Sequence, residues 1–215
     1  MAVPSYSELE AVNQILRSCG QAGVTTLDGT NPDVTIARET LNEVSREVQS
    51  EGWSFNKELH YELEPETIGA AAPATSVQRV LFPNDALQVD STDTYSYDIT
   101  PRIYTHVDNT THNVLYDRAN HKFVDKKLEV DITWYREFNE LPRPVIEYII
   151  ARTASVVSTR IVGDSNQYTY LLQKEAFTRG VMLDYECEQG DYTFFGHSGT
   201  TNRYQSYQPY NALYR

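Results

Sequence analysis

An α+β fold is predicted for this chain: a four-helix bundle interrupted by a β-sheet insertion and followed by an extended C-terminal arm. Three observations predict it. Apolar residues recur at helical spacing in two segments before residue 56 and two after residue 142. Between them the period changes from 3.6 to two. After residue 190 no period fits and aromatics dominate. The expected organisation is a discontinuous helical domain (1–56 and 136–189), a β insertion (57–135) and an aromatic arm (190–215).

The first helix opens on Ser7-Glu8-Leu9-Glu10, where a Ser hydroxyl and a Glu carboxylate are placed to satisfy free backbone amides. Leu9, Val12, Leu16 and Cys19 follow at helical spacing, with Ile15 beside them, and Gly20 is the expected stop. The second helix opens on Asn31-Pro32, a cap followed by a first-turn proline whose missing N–H costs nothing. Ala37, Leu41, Val44 and Val48 form its apolar face, and Gly52 ends it. Trp53 and Phe55 are expected to plug the core at the junction.

In the β insertion, Leu59, Tyr61 and Leu63 alternate with His60, Glu62 and Glu64, which predicts a half-buried strand stopped by Pro65. Residues 66–76 read as a loop, and Val77–Phe82 and Leu87–Val89 as strands around a Pro83-Asn84-Asp85 turn. Residues 91–113 are rich in Thr, Asp and Tyr and read as a long loop or irregular strands. Val114–Tyr116 and Phe123-Val124 flank a hairpin turn, and Leu128, Val130, Ile132 and Trp134 make the best-patterned strand. Ile146, Ile150, Ala154, Val157 and Ile161 predict a third helix closed by Gly163. A fourth is predicted from about Ser165 to Glu188, with Tyr168, Leu172, Ala176, Leu183 and Cys187 on one face and a close packing approach at Gly180.

Eighteen basic against 30 acidic residues give a net charge of −12. Binding phosphates requires clustered Lys and Arg, so this balance argues against gripping nucleic acid or an anionic membrane. Cys19 and Cys187 form no metal-ligand spacing and are expected to be free, largely buried thiols. No segment is apolar over the length of a bilayer, and Met1–Tyr6 has no signal-peptide pattern, so a protein made and kept in a cytoplasm, unless assembled into something exported, is expected.

Catalytic signals are weak. His60, His106, His112, His121 and His197 fall in no metal-binding spacing and are expected on the surface or in loops. No P-loop, GxGxxG or GxSxG occurs, and Gly196-His197-Ser198-Gly199 lacks the strand-to-helix setting of a nucleophile elbow. The one enzymatic alternative is a carboxylate-dependent glycosidase that degrades the cell envelope, drawing on Asp184, Glu186 and Glu188 or on Glu8 and Glu10. Among 30 acids a chance pair is expected, and acids at a helix C-terminus usually mark a solvated or partner-facing run. The reading is therefore no catalytic residue, no metal and no cofactor.

The N-terminal third resembles the tail tubular protein A family of short-tailed podovirus phages. The residues that carry the likeness are Leu9–Leu16, Gly20, Thr26-Leu27-Asp28-Gly29, Ala37–Asn42 and, most specifically, Val48–Asn56 with Glu51-Gly52-Trp53-Ser54-Phe55-Asn56. Further matches lie at Leu115–Arg118 to Phe123, at Leu141-Pro142 with the helix after it, and at Met182–Glu186. Leu16, Leu41, Gly52, Trp53 and Phe55 are the family-motif core. The resemblance implies a structural virion protein, not an enzyme: the adaptor, or gatekeeper, at the head–tail connection. It implies a homo-oligomeric ring, a dodecamer, in the virion tail between the portal protein and the nozzle ring (tail tubular protein B). It also implies contact with the N-terminal region of the tail fibre, and genomic DNA passing through the channel without specific binding. Extra material between about residues 70 and 111 and the Tyr-rich end depart from shorter relatives. A different head-completion protein with similar helices is the remaining reading.

The arm holds Tyr192, Phe194, Phe195, Tyr204, Tyr207, Tyr210 and Tyr214, with Arg203 and Arg215. It is too poor in aliphatics to build a core of its own. Aromatics of this kind give large contact area at low entropy cost, so these residues are the expected partner-binding set.

Overall fold

The structure is a computed structural model that describes residues 7–27, 31–69, 76–92, 97–107, 109–190, 192–193 and 196–197. It is α+β, with four α-helices and several small antiparallel sheets among the described residues. The described residues divide into two compact units, one built from residues 7–55 and 136–190, the other from residues 56–135.

The helical unit begins with α1 (Glu8–Ser18), where Ser7 and Glu10 form the reciprocal capping box. Gly20 adopts φ +77°, and the bonds from Gly20 N–H to Arg17 and from Gln21 N–H to Leu16 close the helix end. The loop that follows is pinned by Asn13, whose side chain accepts from the Val24 N–H at 2.6 Å and donates to the Val24 carbonyl at 2.9 Å. In α2 (Pro32–Ser50) the Asn31 side chain caps the Asp33 N–H, and Gly52 turns the chain away at φ +76°. The four residues of its predicted apolar face are all buried.

The third helix, α3 (Arg143–Ile161), packs against each of the other three helices and is buried on most sides. Gly163 ends it at φ +72°. The Asp164 carboxylate then accepts the Asn166 N–H to start α4 (Ser165–Gly190). Val12, Leu16, Leu41, Val44, Ile150 and Val157 belong to one apolar core, which Trp53 joins and Phe55 packs against.

The inner face of α4 differs from the predicted one. Leu171, Met182 and Glu186 are buried, whereas Leu172, Ala176, Leu183 and Cys187 are exposed and Tyr168 is intermediate. Apolar residues occur on several sides of this helix, so spacing alone selected the wrong stripe. A Cβ at Gly180 would meet nothing within 4 Å, so no close approach explains that glycine. The thiols are free, but only Cys19 is buried.

In the second unit, the central sheet has the order β1 (Lys57–Leu63), β8 (Leu128–Trp134), β4 (Ala86–Ser91), all antiparallel. The expected alternation of β1 fails. Its register to β8 shifts between Glu58 and Tyr61, and His60 sits at φ +57°. That bulge turns Leu59 and Tyr61 outward, leaving Leu63 buried. Residues 66–68, expected in a loop, form β2 (Glu66–Ile68) against β3 (Val77–Arg79).

The largest correction lies in 91–113, where β5 (Ile99–Thr105) runs in unbroken register against β6 (Thr111–Asp117), with β7 (Lys122–Phe123) beyond it. Its sequence shows little alternation because the strand is mostly exposed and Pro101 sits on the sheet edge. Cross-strand rings hold it instead. Arg102 lies 3.9 Å from the Tyr116 ring centroid, and Phe123 meets Tyr104 and Tyr116 edge to face at 5.2 and 5.1 Å. His106 lies in the loop joining β5 to β6, one of the two settings expected for the histidines, but its side chain is buried there at 3% exposure. A second core gathers Leu63, Val80, Val89, Leu115, Leu128, Val130 and Ile132.

After α4, β9 (Tyr192–Thr193) pairs with β10 (Gly196–His197).

Candidate assembly surfaces

Buried polar groups fix the long helices in register. Gln49, fully buried on α2, accepts the Arg136 N–H at 2.8 Å and donates to the Arg136 carbonyl at 3.1 Å and to Ser45 Oγ at 3.0 Å. Both oxygens of Glu186 on α4 are engaged by Ser54, through its N–H at 2.9 Å and its hydroxyl at 2.8 Å. Trp53 Nε1 donates to the Val48 carbonyl. The junction segment is thus tied to α2 on one side and to α4 on the other.

Tyr148, fully buried on α3, accepts hydrogen bonds from Arg152 at 3.0 Å and Arg179 at 2.7 Å. Arg152 pairs with Glu47 and Arg179 with Glu51, so one phenol oxygen organises ion pairs reaching from α3 and α4 to α2 and its C-cap. Ser155 Oγ donates to Glu175 at 2.7 Å. A buried phenol between two arginines resists any shift of α4, since moving the helix would leave charged groups without partners.

The outer side of α4 carries large apolar residues in the open. Tyr170 is 73% and Phe177 72% exposed, and Leu172, Val181 and Leu183 are exposed as well. Residues 170, 177 and 181 lie on one stripe and are interleaved with charged Lys174, Asp184 and Glu188. The sequence reading missed this stripe, although the seven- and four-residue steps between these positions carried the signal.

In the β unit, Asp117 is fully buried at the end of β6. Burial pushes its carboxyl pKa up, but bonds from the Asn120 side chain (2.6 Å) and the backbone N–H groups of Asn120, Asp98 and Ala119 outweigh that and hold it below the usual carboxylate range. An open groove of about 450 Å³ is lined by Leu81, Phe82, Asn84, Ile103, Thr111, His112 and Asn113. It brings no pair of carboxylates together. Among the described residues no group of three His, Cys, Asp or Glu could hold a metal ion, and no helix is long and apolar enough to cross a membrane.

Of the acids weighed as catalytic candidates, three have other partners and two are exposed. Glu8 pairs with Arg38, Glu10 caps α1, Glu186 holds Ser54, and Asp184 and Glu188 are exposed. Leu16, Leu41 and Trp53 are buried in the helical core, Phe55 packs against it, and Gly52 supplies the left-handed turn. Of the arm residues, Tyr192 lies in β9. Phe194, Phe195, Arg203, Tyr204, Tyr207, Tyr210, Tyr214 and Arg215 lie outside the described residues.

A chain that locks a long helix through a buried tyrosine and a buried glutamate, and then leaves that helix's outer side apolar and open, has the surface of a component of a larger assembly. Residues 9–192 match the family described as tail tubular protein, and the chain belongs to that family. It is a structural protein of the phage tail. No curated protein matches it.

Proposed function

We propose that this chain is the adaptor subunit of a podovirus tail. Copies close into a ring, a dodecamer by family resemblance, that joins the portal protein to the nozzle ring of tail tubular protein B. Tail-fibre N-terminal regions meet its flank, and genomic DNA passes through the channel during ejection without specific binding. The helices act as one bundle spanning 1–56 and 136–189, the insertion 57–135 offers a separate surface, and the arm 190–215 binds partners.

The observation that carries this reading is α4, whose exposed Tyr170 and Phe177 need a partner surface while its inner side is locked. A net charge of −12 suits a conduit that must not retain DNA.

Sedimentation, native mass spectrometry and negative-stain imaging of the purified chain, with and without portal protein, test the proposal. Closed rings of one stoichiometry that bind portal are expected. A chain that stays monomeric with portal present, or that grows open filaments, would overturn it.

A further inference from the structure

We infer that the exposed stripe of α4 in one copy is the seat for the C-terminal segment, residues 198–215, of the neighbouring copy. The inference rests on the ring reading above and names the contact between its subunits.

A ring of identical chains joined head to tail needs two different surfaces on each copy, a donor and an acceptor. The acceptor stripe runs through Tyr170, Phe177, Val181, Asp184 and Glu188, at steps of seven, four, three and four. Its N-terminal part is apolar apart from Lys174, and its C-terminal part is acidic. The segment 198–215 is complementary in both respects. Its aromatics Tyr204, Tyr207, Tyr210 and Tyr214 recur every three or four residues, and its charged side chains are Arg203 and Arg215, with no acid among them. Aromatic rings match Tyr170 and Phe177, and the arginines match Asp184 and Glu188.

Length permits the exchange. Positions 170 to 188 of a helix span about 27 Å at 1.5 Å per residue. A segment the length of 198–215 reaches about 60 Å when extended, enough to cross to a neighbour and lie along the stripe.

The test places the photocrosslinker p-benzoylphenylalanine at position 177 of the full chain. Rings are formed with portal protein from an equal mixture of heavy- and light-isotope copies, then irradiated. Crosslinked peptides from 198–215 carrying mixed isotope labels are expected, about half of all the crosslinks. Crosslinks joining only like labels would place the segment on its own helix. Crosslinks to portal protein, or to other parts of a neighbour, would also overturn the inference. A second measurement reverses charge on the acceptor. Asp184→Arg with Glu188→Arg should weaken ring formation severalfold, more at low salt than at high, with the monomer's thermal midpoint unchanged. Rings that form normally with no crosslink to 198–215 refute this contact and leave the adaptor reading standing. A full chain that never assembles refutes both.

Discussion

Asp117 is a fully buried carboxylate whose charge is held by four donors from the turn after β6 and from Asp98, the residue before β5. Its folded pKa lies below the unfolded value of about 3.9. For a depressed acid, the stabilisation is complete above the unfolded pKa and is lost as pH falls through the folded one. Asp117→Asn should therefore be less stable than the native chain at neutral pH by a margin that stays constant down to about pH 5 and shrinks in stronger acid. Urea unfolding across a pH series measures this. A margin that stays flat, or widens, as acid is added would show that the charge is not what those donors hold. Tyr148 poses the same problem in reverse, since a single phenol oxygen organises two guanidinium groups.

At the scale of elements, α2 is the clearest case of a local pattern deciding structure. Leu41 sits at 1% exposure in the helical core, so Leu41→Ala should cost about 2–5 kcal/mol through lost transfer energy and the cavity left behind. A loss below about 1 kcal/mol in urea unfolding of a monomeric form would mean the site collapses far better than a close-packed core allows. The helix ends were legible because their signals are local: Ser7 with Glu10, Asn31 before Pro32, and glycines at 20, 52 and 163 with positive φ. Strand β8 was legible because it is central and buried on alternate residues at Leu128, Val130 and Ile132. Strand β5 was not, since its order comes from residues on β6 and β7 and little of it is buried. The bulge at His60 was hidden for a related reason: the pattern of β1 shows no break, and the register to β8 does. The candidate surface was half legible. The aromatic segment stood out by composition, whereas the stripe on α4 was masked because the helix is apolar on more than one side.

For the whole molecule, charge is the property that multiplies on assembly. In the proposed ring every copy would bring −12, so its body would be strongly acidic toward anything threading it. The assembled ring is expected to bind duplex DNA weakly at physiological salt, with a shallow dependence of affinity on salt concentration, because few phosphates are neutralised. Fluorescence anisotropy of labelled duplex with assembled rings checks this, and tight binding that collapses between about 50 and 200 mM salt would contradict it.

The β unit begins and ends side by side: the backbone N–H of Trp134 donates to the Asn56 carbonyl at 2.8 Å, and Asn56 Nδ2 donates to the Trp134 carbonyl at 3.0 Å. The two strands that carry the chain in and out therefore part company one hydrogen-bonded pair apart, about 5 Å between Cα atoms. To the helical unit, everything between those residues is topologically a tight turn. Closing the helices over a full β unit rather than a few residues costs only about 2–3 kcal/mol more, because loop entropy grows with the logarithm of length. The β unit is thus placed as a cassette: a change in its length alters the closure cost of the helical frame by about 0.6 kcal/mol per doubling.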